Sequence, residues 1–231
     1  MKIKAYRFSK LELSHMERLL QVFKASEYDL IRWPEVYYCD HKDLYPDDEI
    51  DTNDELRYEN NIYIPDYLGI YRYDIYREGV IVLYKDRIRD CSKRISNELS
   101  LDYYETFDAI KFIVLMHELG HWITHWCHTS NQIQRSINFH YQSIAVLESM
   151  AQLSFVWSIF GLKNPEIKQY REIFYYLVKH QPREYQMFLK LENLTANKKE
   201  ENKFSNKATI IKRYNKILDE NLNLDFLLNG K

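Results

Sequence analysis

The stretch Phe112-Ile113-Val114-Leu115-Met116-His117-Glu118-Leu119-Gly120-His121-Trp122 constrains this chain more than any other. Two histidines stand four residues apart, with a glutamate directly after the first, behind the strongly apolar run that a buried helix requires. Four residues of α-helix turn about 400° and rise about 6 Å, so His117 and His121 lie about 40° apart on one face. Two imidazoles in that relation can both reach one Zn²⁺ at about 2.0–2.1 Å. Glu118 sits about 60° round from His121, off the metal's approach but within reach of a water bound there. Gly120 lies inside the helix, where it costs about 1 kcal/mol relative to Ala and marks a close backbone approach.

A catalytic zinc has three protein ligands and one open position. The pattern H-E-x-x-H-x-x-G-x-x-H fails here, because Thr124 and Cys127 occupy its glycine and third-histidine positions. The better candidate is Glu148, in Ile144-Ala145-Val146-Leu147-Glu148-Ser149-Met150-Ala151-Gln152, on a separate and very apolar helix. A carboxylate among such neighbours is costly unless a cation meets it. Gln152, one turn on, points the same way and is suited to hold a ligating histidine by its free ring N–H. His125, one turn beyond His121, is a candidate to line the pocket and the alternative third ligand. His128 is too far along the axis to share the metal, and His140 falls in a loop or at a helix start.

The 231 residues suffice for one core with appended helices. Hydrophobic residues make up 45% and charged residues 29%, ordinary for a soluble globular protein, and a net charge of −2 offers no global field for nucleic acid or an anionic membrane. Lys198, Lys199, Lys203, Lys207, Lys212 and Arg213 form only a broken basic patch, interrupted by Glu200 and Glu201. Cys39, Cys91 and Cys127 are scattered, as thiols in a reducing compartment are. No secretory leader and no run of 18 apolar residues is evident, so a cytoplasmic location without membrane association is expected.

Residues 1–8 suggest a short strand, and Ser14-His15-Met16-Glu17 a capping box opening a helix to about Ser26. Residues 33–61 lose periodicity and carry an acidic, loop-like segment around Pro46 without the spacing of a Ca²⁺ loop. Residues 67–84 read as two strands turning near Glu78-Gly79, one of them suited to pair with an extended peptide. Helices follow over about 85–99, from the N-cap Asp102 to about His128–Asn131, and over 138–160. The tail suggests helices at about 165–180, 183–193 and 206–221, with a polar linker at 198–203.

With these residues in view the chain resembles the gluzincin class of zinc metallopeptidases, in particular compact bacterial members such as the ImmA/IrrE-like proteins and minimal single-domain gluzincins. His117-Glu118-Leu119-Gly120-His121 and Glu148-Ser149-x-Ala151-Gln152 carry the likeness, which covers about residues 67–160. It implies an α+β, zincin-like fold, mostly helical, with a small sheet before the H-E-x-x-H helix, to which the tail helices, outside the likeness, add a helical C-terminal extension. Residues 1–66 form an N-terminal helix and acidic loop, 67–162 the catalytic core and 163–231 the extension. His117, His121 and Glu148 are then the Zn²⁺ ligands and Glu118 the catalytic base, acting on a peptide or protein substrate. An oxyanion donor is to be sought among Tyr141, Tyr170, Tyr175, Tyr176, His180, Arg183 and Tyr185. The competing expectation is a zincin-fold, zinc-binding regulatory protein that cleaves little, its cleft covered by the apolar segment after Pro182.

Overall fold

The computed structural model describes residues 4–23, 33–44, 68–74, 77–126, 132–159, 165–196 and 200–229. Within them the chain is α+β: a small mixed sheet against a larger set of helices. The sheet has four strands in the order β1-β2-β4-β3, with β1 at Lys4–Ala5, β2 at Glu35–Cys39, β3 at Gly69–Asp74 and β4 at Arg77–Tyr84. β4 pairs parallel with β2 and antiparallel with β3. Its run Ile81-Val82-Leu83-Tyr84 is buried throughout because both faces are covered. Ile81 and Leu83 join the main core, and Val82 and Tyr84 pack with Cys39 on the other side.

The core is built around α4 (Tyr103–Trp126), opened by Asp102, whose carboxylate accepts the Glu105 N–H at 2.9 Å. Across it packs α6 (Ile144–Ile159), buried from Ser149 to its end. A Cβ on Gly120 would stand 2.8 Å from Ser154 Cβ and 2.9 Å from Ala151 Cα, so the two backbones touch where only glycine fits, as its interior position suggests. α1 (Lys10–Val22), α3 (Lys85–Leu99) and α7 (Pro165–Lys179) close around this pair, and the core runs unbroken from Met16 to Leu227.

Several expected boundaries move. The first helix starts at Lys10 under a capping box of Ser9 and Glu12, because this register brings Glu12, His15, Met16 and Leu19 inward; Ser14 lies within it. β2 falls in the stretch read as aperiodic, since Val36, Tyr37 and Tyr38 owe their strand conformation to a parallel partner far along the chain. The acidic segment around Pro46 lies outside the described residues. So do residues 75–76 between β3 and β4, and Glu78 and Gly79, the expected turn, belong to β4. The helix expected over 138–160 is two: α5 (Gln132–Tyr141) ends, and the Ser143 carbonyl accepts the N–H groups of Val146 and Leu147 to start α6. The Gln142 amide at that break is tied to Asn221 and to the Leu222 carbonyl, a contact no local pattern announces. His140 is therefore in a last helical turn.

The tail continues as α8 (Arg183–Gln186), α9 (Phe188–Ala196), α10 (Glu200–Glu220) and α11 (Leu224–Asn229). The polar linker expected up to Lys203 already belongs to α10 from Glu200. Phe188 and Leu191 are fully buried, with Phe188 edge-on to Phe174, so this apolar segment fills core.

Candidate metal centre

The crossing of α4 and α6 brings three lone-pair groups to one point. His117 Nε2 lies 3.0 Å from Glu148 Oε2, His121 Nε2 lies 3.4 Å from Glu148 Oε1, and the two Nε2 atoms are 3.1 Å apart. All three ligand atoms fall within 4.8 Å of one another, and no other such group of His, Cys, Asp or Glu exists among the described residues. Tetrahedral coordination at about 2.05 Å separates ligand nitrogens by about 3.3 Å, so the spacing suits a zinc-sized cation.

The local chemistry agrees. Glu148 Oε2 is buried, 3.0 Å from His117 Nε2, and that contact is an ion pair only if the imidazole is protonated. Two imidazole nitrogens facing each other at 3.1 Å share at most one proton in a hydrogen bond. A cation between them satisfies all three groups at once. Burial alone would push the Glu148 carboxyl up, but the two imidazoles overcome this and hold it well below the usual carboxylate range. Burial would likewise push His117 down, and the Glu148 carboxylate reverses that and raises it.

Glu118 is buried beside the pair and is not one of the converging ligands. Burial is the largest influence on it and raises its pKa; the two histidines oppose this, and the backbone N–H of Tyr71 donates to its carboxylate. Gln152 reaches His117 with its side chain, and its Nε2 also donates to Gln181 Oε1 at 3.1 Å. Gln181, at the turn after α7, is a contributor that sequence reading missed, since nothing local marks a glutamine before a proline.

These groups line a cavity of ≈ 240 Å³. Leu68, Gly69, Ile70, Tyr71 and Tyr73 of the edge strand form one wall, and Ile113 and Val114 continue α4 beneath it. Phe174, Leu177, Val178, Gln181 and Tyr185 close the far side, so the C-terminal segment supplies a wall of the site. Gly69 allows the strand to come this close: a Cβ there would meet Val114 Cγ1 at 2.7 Å and Glu118 Cγ at 3.3 Å.

Of the downstream polar groups, Tyr185 faces this cavity. Tyr141 is exposed, Tyr170 packs on Phe112, and the hydroxyls of Tyr175 and Tyr176 donate to Glu192 and Glu98. His180 Nδ1 is 2.8 Å from the Tyr176 carbonyl, and Arg183 is exposed. His125 is placed away from the cavity lining and from the ligand group, which corrects its expected pocket role: its ring stacks on Phe139 at 4.4 Å and its Nδ1 meets the Tyr71 hydroxyl. His128 lies outside the described residues. No helix among the described residues is long and apolar enough to cross a membrane. No protein-family model, curated protein or solved structure matches this chain.

Proposed function

We propose that this chain is a zinc-dependent metallopeptidase of zincin-like, gluzincin type, acting on peptide or protein substrates in the cytoplasm. The observation that carries the reading is the convergence of His117, His121 and Glu148 from two helices, with Glu118 beside them in one cavity. His117, His121 and Glu148 would hold the metal, leaving one position open. Zinc bound there supplies Lewis acidity and a water of lowered pKa.

The chain's own residues account for the rest. Glu118, raised by burial, takes a proton from water and passes it to the leaving amine. Gln152 keeps the His117 ring oriented. The outer edge of β3 has no strand partner among the described residues; the Tyr71 N–H there is taken by Glu118, and an extended peptide would pair through the backbone groups beside it, with side chains entering the apolar wall of Ile113, Val114 and Leu177. Tyr185, from the opposite wall, is the donor assigned to the substrate carbonyl oxygen.

The test is elemental analysis followed by a screen of peptide cleavage. Wild type is expected to hold about one zinc per chain, and Glu118→Gln to keep that zinc while losing cleavage. A folded, metal-free wild type, or cleavage that survives Glu118→Gln, sinks the reading. Zinc without cleavage of any peptide would favour a binding protein.

A further inference from the structure

Tyr71 belongs to the edge strand, yet both of its ends are engaged by α4. The register pairs Ile70 with Val82 and Arg72 with Val80, and the Tyr84 N–H donates to the Leu68 carbonyl at 2.9 Å. In an antiparallel ladder this turns the backbone groups of Leu68, Ile70 and Arg72 towards β4 and those of Gly69, Tyr71 and Tyr73 outwards. The outward N–H of Tyr71 is the one that meets the Glu118 carboxylate.

The hydroxyl of the same residue is fixed two helical turns further along. Trp126 Nε1 donates to it at 2.8 Å, and His125 Nδ1 lies 2.9 Å away. An indole N–H can only donate, so the tyrosine oxygen accepts from Trp126, and the hydroxyl and His125 Nδ1 share a second hydrogen bond. The ring of His125 is wholly buried, so the arrangement is shielded from competing water. Gly79 makes room for the tyrosine: a Cβ at that position would lie 2.3 Å from the Tyr71 ring.

We propose that Tyr71 is a positioning residue that bolts β3 onto α4, its hydroxyl locked by His125 and Trp126 so that its backbone N–H holds Glu118 in place. Glu118 and the strand edge on which a peptide would lie therefore keep one register. A small loss of register is enough to matter, since a misplacement of about 1 Å can cost about 100-fold in rate. This inference rests on the peptidase reading only for its kinetic consequence; the lock itself is independent of it.

The experiment compares wild type with Tyr71→Phe, which removes only the hydroxyl, and with Trp126→Phe, which removes one of its two anchors. Hydrogen exchange of the Tyr71 amide in the full chain is expected to quicken more than about tenfold in Tyr71→Phe, and by less in Trp126→Phe, while amides in α6 change little. Zinc content stays at that of wild type. On a peptide that wild type cleaves, kcat is expected to fall about 10- to 100-fold with KM changed less than about threefold. An unchanged Tyr71 amide overturns the proposal, as does lost zinc, or a loss confined to KM. If wild type cleaves no peptide, the peptidase reading falls, and the exchange comparison still decides the lock.

Discussion

Helix α4 holds histidines in two settings, a single turn apart. His117 and His121 face each other and the Glu148 carboxylate in a cavity. His125 is packed against Phe139 and Tyr73 and meets one hydroxyl that is itself satisfied by an indole. Both settings are largely buried, so burial does not tell the two apart; the groups that meet the rings do. Around His125 the contacts are aromatic rings and one hydroxyl, with no carboxylate among them. Around His117 two imidazoles and a carboxylate converge on one point, a donor set that a cation could complete.

The most severe way to break the contrast is to delete one histidine from each setting. His117→Ala is expected to reduce zinc affinity beyond the roughly 100-fold limit typical of outer-sphere changes, read by chelator competition. His125→Phe should leave zinc affinity near wild type. Equal losses in the two variants would erase the distinction.

Gln152→Leu probes the support of the first setting. It should lower zinc affinity about 10- to 100-fold with the fold intact. An unchanged affinity would mean that the Gln152 contact with His117 does not orient the ring.

At the level of stability, His125→Phe should cost about 1–3 kcal/mol in urea denaturation, because the buried Tyr71 hydroxyl loses its hydrogen-bond partner on that ring. Gly120→Ala should cost a similar amount, about 1–3 kcal/mol, through overpacking against Ala151 and Ser154. Unlike His125→Phe, it should also weaken zinc binding, since it pries apart the helices that carry the ligands.

The smallest effect concerns a fourth histidine. His15 is buried against Phe112, with Nδ1 3.0 Å from the Ser158 carbonyl, and burial lowers its pKa from the usual value. The unfolded chain therefore takes the proton more readily than the folded one. The stability gained by keeping this ring neutral is complete above the unfolded pKa, about 6.5. It is lost as the pH falls from there towards the lower folded value. Urea midpoints measured between about pH 8 and pH 5 should fall more steeply in wild type than in His15→Leu. Parallel slopes would assign the acid sensitivity to other groups.

Much of this arrangement was legible from local pattern. The span of α3 and the start of α4 under Asp102 follow from periodicity and capping, and the glycine in H-E-L-G-H announced the close crossing. The His117–His121 pair follows from helix geometry alone, and Glu148 from the cost of a carboxylate in an apolar helix. β2 was missed because its partner is remote, and the α5–α6 break because it is fixed by a contact with the α10–α11 joint. Tyr71 and Gln181 were missed for the same reason: each matters through a neighbour on another element.

The sequence by itself determined that two imidazoles share a helix face and that a buried carboxylate elsewhere needs a positive partner. Those conclusions need only the helical repeat and the electrostatics of burial. Tertiary structure alone decided that the carboxylate meets those imidazoles, that His125 turns to the aromatic side, and that the edge strand reaches Glu118. Each depends on where separate elements cross, and that is set by close-packing around Gly120 and Gly69, not by any repeat along the chain.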